Sequence, residues 1–139
     1  MIAVVCVDDK GGVCFHNRRQ SQDRVLREYL LSRIGDAPLH LSAYSAKQFA
    51  EVPAERLQVS DNPLAACKQG EYCFVEGQAL SAWAEQLEAV VVFRWNRVYP
   101  ADTHLDLDLD GGHWTLADRQ EFAGYSHEKI TCDTYYPRG

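Results

Sequence analysis

No apolar segment of this 139-residue chain is long enough to span a bilayer. Its longest apolar runs, residues 1–7 and 89–93, fall far short of the ~20 residues a membrane helix needs. The N-terminus, MIAVVCVDDK, has no basic region and meets two aspartates after seven positions, so neither a secretory signal nor a transit peptide is expected. CxxC pairs are absent. The five cysteines (Cys6, Cys14, Cys67, Cys73, Cys132) are scattered and odd in number, which points to free thiols in a reducing cytoplasm rather than a disulfide scaffold. None of the five histidines shows HxH, HxxxH or HExxH spacing, so no metal is expected. Positive charge is also in short supply. The 14 Lys/Arg against 20 Asp/Glu leave a formal charge of −6, which argues against a duplex nucleic-acid partner.

What is present is ordinary globular material: 46% hydrophobic, 24% charged, with no linker, repeat or low-complexity stretch. One domain over residues 1–139 is expected, with a core of its own. Charge is uneven along it. Residues 1–70 hold 9 Lys/Arg and 8 Asp/Glu, residues 71–139 hold 5 and 12. Arg18, Arg19, Arg24, Arg27 and Arg33 make one cationic stretch, a composition suited to a small anionic molecule; the oligomeric state stays open.

The pattern along the chain is mostly β–α alternation. Residues 1–7 read as a strand buried on both faces, broken by Gly11-Gly12, with a loop over 13–20. Residues 22–34 are helical: Val25, Leu26, Tyr29, Leu30 and Ile34 recur on one face. Ser21 is a candidate N-cap, Asp23 lies in the first turn, and Gly35 follows the end. A strand at 38–43, a helical turn around 44–50 and a strand at 56–60 come next. Then follow a short helix started by Asp61 or Asn62 with Pro63, a strand at 71–75, a helix at 78–88 and a second apolar strand at 89–95. The rest is strands only. Leu105, Leu107 and Leu109 alternate with Asp106, Asp108 and Asp110, which reads as an edge strand. An EF-hand loop would need a Glu at its twelfth place; counted from Asp106 the sixth place is Gly111, but the twelfth is Ala117. Two final strands form a hairpin through Gly124. The fold class is therefore α/β: a single-domain mixed sheet, mostly parallel with antiparallel C-terminal strands, and helices on both faces.

The order of these features resembles the dihydrofolate reductase family over nearly the whole chain. The match runs through MIAVVCV with Gly12 and an irregular loop, Asp23 opening the first helix, PLHLSAYSAKQF, RLQVSDNP, EYCFVEGQALSAWAEQLEAVVVFRW, Asp102-Thr103-His104-Leu105, Trp114 and Ser126-His127. The resemblance implies an NADP-dependent reductase of a pterin- or folate-like or other small anionic substrate. Asp23 would then supply or relay the proton, its carboxyl raised in an apolar cleft. Ser45, Lys47, Gly77 and Gln78 would touch the NADP, and Arg18, Arg19 and Arg24 the anionic end of the substrate. The chain also departs from the family. Its strand-to-helix turn keeps one glycine and adds Glu76; the turn at Ser42-Ala43-Tyr44-Ser45 lacks the basic residue; Phe93 stands at or near the place of the family's threonine. Two other readings stay open. One is a non-catalytic ligand-binding or regulatory domain on the same fold. The other is a hydrolase that meets a phosphorylated or nucleic-acid substrate through Arg18–Arg27.

Overall fold

A computed structural model describes residues 1–138; Gly139, the last position of the expected domain, lies outside the described residues. Continuous apolar runs dictate its centre. Strand β1 (Ile2–Val7) lies between β6 (Tyr72–Phe74) and β7 (Ala89–Arg94), parallel to both. Ala3, Val5 and Val7 enter one core with Val90 and Val92, while Val4 enters the other with Val91 and Phe93. Each fully buried valine contributes roughly 1.5–3 kcal/mol, so the two β-branched strands supply a large share of the drive to fold.

Around these three the sheet has seven strands, in the order β5 (Leu57–Val59), β4 (Leu39–Leu41), β6, β1, β7, β10 (Ile130–Pro137), β9 (Trp114–Phe122). Strands β4 and β5 extend the parallel half. Strands β9 and β10 form the antiparallel hairpin through Gly124 and finish the other edge. Both faces are covered. Helix α1 (Arg24–Ile34) lays Leu26, Leu30 and Ile34 on one face, joined by Phe49 beyond α2 (Ala43–Ala46). Leu64 of α3 (Pro63–Ala66), Leu80 and Leu87 cover the other. No helix among the described residues is long and apolar enough to cross a membrane.

Four local expectations need correction. The N-cap of α1 is Asp23, not Ser21: its backbone is extended (φ −152°, ψ 129°) and its carboxylate accepts from Val25 N–H and Leu26 N–H. The loop at 13–20 is a small hairpin, β2 (Gly12–Phe15) against β3 (Arg18–Arg19), turned by His16 and Asn17 at positive φ. The helix at 78–88 shrinks to a 3-10 helix, Ser81–Gln86, because the Asp106 carboxylate takes the Leu80 and Ser81 N–H groups and starts the turn from outside. The alternating leucines at 105–109 make no ladder beyond β8 (Thr103–His104), which pairs with β2; Leu107 and Leu109 instead turn singly into the core. Alternation there records which side is wet, and no second strand is present to pair.

Candidate functional site

The candidate site is built from two polar clusters, Asp23 with His127 and Arg19 with Glu76. Asp23 is buried, and both of its oxygens are saturated. Oδ1 accepts from Val25, Leu26 and Tyr125 N–H; Oδ2 accepts from Ser126 N–H at 2.9 Å and lies 2.8 Å from His127 Nδ1. Burial by itself would raise this carboxyl. The hydrogen bonds from Tyr125, His127, Ser126 and Leu26 outweigh it and hold the group well below the usual carboxylate range. An acid raised toward neutrality was expected; the structure shows the opposite, because the N-cap position and the 125–127 loop surround it with donors.

His127 is buried against Trp95, their rings 4.5 Å apart and nearly parallel. While Nδ1 faces Asp23, Nε2 lies 3.0 Å from each of the Ser21 and Tyr99 hydroxyls. Serine, histidine and carboxylate are thus aligned. Gly124 permits the close approach: a Cβ there would stand 2.7 Å from Asp23 Oδ2 and 2.9 Å from the His127 carbonyl oxygen.

A second cluster joins β3 to the exit of β6. Arg19 reaches from β3 and holds the Glu76 carboxylate with both Nε (2.8 Å) and Nη2 (3.1 Å), while Gln48 adds a third donor at 3.1 Å. The same guanidinium lies 4.3 Å over the Tyr44 ring and donates to the Tyr44 carbonyl. Burial opposes its charge, but Glu76 more than compensates and raises it further above its ordinary value. The pair spans from Tyr44, at the start of α2, to the β6 exit. Burial, with Glu76 nearby, pushes the Cys6 and Cys14 thiols up, so neither offers a ready thiolate.

The predicted site residues do not converge. Gly77 (φ +86°) and Gln78 line a cavity of about 210 Å³ with Val5, Leu80 and His104; Arg18 and Arg19 line another of about 420 Å³ with Phe15, Gln20 and Tyr99. Asp23 lines neither of these two cavities. Ser45 is buried, its Oγ turned to Ser42; Lys47 is exposed at the end of α2. Arg24 lies over the Tyr125 ring and near Glu28, Arg27 bonds Gln22, and Arg33 bonds Thr134. The cationic stretch is therefore spread over several surfaces instead of forming one patch for a phosphorylated substrate.

These groups do not fit the implied dinucleotide. A pyrophosphate needs free N–H donors or unpaired cations at a turn. Here the Glu76 N–H is taken by Gln78 Oε1 at 2.8 Å, Arg19 is taken by Glu76, and the Glu76 carboxylate adds negative charge. The residues missed by sequence reading are His127 as the partner of Asp23, Ser21 and Tyr99 as partners of His127, and Glu76 as the partner of Arg19. None had a signal in spacing: Asp23 and His127 are 104 positions apart, Arg19 and Glu76 are 57 apart.

No protein-family model matches the chain, and no curated protein matches it. Among solved structures it is similar to a dihydrofolate reductase from Enterococcus faecalis complexed with NADP(H) and RAB-propyl. The TM-score is 0.68 over 99% of this chain and 96% of that one, at 9% sequence identity. A dihydrofolate reductase-like fold follows, as the order of the sequence features implied.

Proposed function

We propose that this chain is a ligand-binding domain on a dihydrofolate reductase-like fold, working without dinucleotide-dependent reduction, and that its ligand is a small organic anion. One observation carries the reading. The bidentate Arg19–Glu76 pair bridges the turns at Tyr44 and Gly77, between which a dinucleotide would have to lie. A ligand has room elsewhere. The cavity of about 420 Å³ between Phe15 and Tyr99 falls in the range of small-molecule sites. Arg18 at its rim has no carboxylate partner among the described residues, so its guanidinium remains for an anion.

A second reading, NADP-dependent reduction, has one specific support: the solved reductase with which this chain shares its fold was complexed with NADP(H).

Titration separates the two. Under the first reading, NADPH up to millimolar concentration produces no saturable quenching of tryptophan emission. Benzoate, an aromatic anion used as probe, shifts the amide resonances of residues 15–20 and 99 saturably, and Arg18→Ala removes that response. Saturable NADPH binding with energy transfer to the nicotinamide would overturn the proposal in favour of the reductase.

A further inference from the structure

We propose that His40, Cys67 and Glu71 form a binding site for a divalent transition-metal ion of the zinc class, remote from the Asp23 and Glu76 clusters. Each of the three offers a ligand atom, one nitrogen, one sulfur and one oxygen, and all three atoms lie within 4.8 Å of one another. Zinc bonds such donors at roughly 2.0–2.3 Å, which places tetrahedral ligand atoms roughly 3.3–3.8 Å apart. His40 Nε2 and Glu71 Oε1, at 2.8 Å, would need to part by only about half an ångström to admit the ion.

Topology assembles the set. β4 and β6 are parallel neighbours with His40 opposite Cys73, and the His40 side chain reaches Glu71, two residues before Cys73 and so on the same face. Leu39 and Leu41 both enter the α1 side of the core, which sends the His40 side chain to the opposite face. Cys67 packs on that face, at the C-cap of α3.

Two further observations point to a ligand. His40 is more than nine-tenths buried, yet its Nδ1 has no hydrogen-bond partner among the described residues. With no acceptor or donor binding Nδ1, that nitrogen can carry the ring proton, and Nε2, the nitrogen beside Glu71, can turn its lone pair to an ion. Cys67 also lines an open cavity of about 370 Å³ with Leu64, Lys68 and Trp83, through which an ion and a water can arrive. Three protein ligands with one position left to solvent is the arrangement of an open zinc site, and the thiolate–imidazole pair disfavours magnesium and calcium.

The test uses the metal-depleted full chain with Co²⁺ as spectroscopic probe and Zn²⁺ as competitor. The expected result is one equivalent of cobalt, a thiolate-to-cobalt charge-transfer band in the near ultraviolet, and displacement by zinc. Cys67→Ser should abolish the band, and Glu71→Gln should weaken zinc binding by about tenfold or more. Cys6→Ser, in β1 and on the opposite, α1-covered face of the sheet, should leave both unchanged. No saturable cobalt uptake at millimolar ion overturns the proposal. So does a band that survives Cys67→Ser, or zinc affinity indifferent to Glu71→Gln. Both variants change half-buried positions, so their folding can be checked independently by circular dichroism.

Discussion

His127 Nδ1 lies 2.8 Å from Asp23 Oδ2, and this bond ties the turn of the last hairpin to the first turn of α1. The same carboxylate caps the helix and accepts the Tyr125 and Ser126 N–H groups. One side chain thereby joins two segments far apart in the chain.

Asp23→Ala removes the cap and leaves several buried donors unpaired, and is expected to cost about 3 kcal/mol or more in urea denaturation. Asp23→Asn keeps a good capping oxygen but loses the charge-assisted bond to His127, so its cost should be smaller. Equal, negligible losses in the two variants would show that the network contributes nothing to stability.

The acid limb of the stability curve follows from the same carboxylate. Its folded value is depressed below the unfolded one, so its contribution is fully present above about pH 4 and is lost as pH falls toward the folded value. Asp133 adds in the same direction: burial works against it, but Arg119 and Arg94 hold it low. Stability measured between pH 5 and pH 2 should fall steeply in the parent chain and less steeply in Asp23→Asn. Parallel slopes would remove Asp23 from this role.

Arg19 and Glu76 are both largely withdrawn from water, so removing either strands the other. Arg19→Ala and Glu76→Ala are each expected to destabilise by about 2 kcal/mol, and the double variant by clearly less than their sum, a coupling of about 1–3 kcal/mol. Strict additivity would mean that the pair does not tie β3 to the exit of β6.

Local features were readable where one stretch of chain settled the outcome. The apolar run at residues 1–7, the 3.6-residue repeat of α1, Pro63 after Asn62 and the hairpin through Gly124 all express burial or backbone preference, which neighbours in sequence decide. The misreadings arose where a distant group intervened. Asp106 starts the turn at Leu80 from outside and shortens the helix expected at 78–88.

Order of residues by itself therefore determined the strands, the main helix and, through their succession, the mixed sheet. Tertiary structure alone decided which polar groups meet: Asp23 with His127, Arg19 with Glu76, His40 with Glu71, at separations of 104, 57 and 31 residues. The reason is physical. Apolar burial requires only a periodic pattern and any matching face, whereas a buried hydrogen bond or ion pair requires one partner at about 3 Å, and no spacing along the chain encodes that distance.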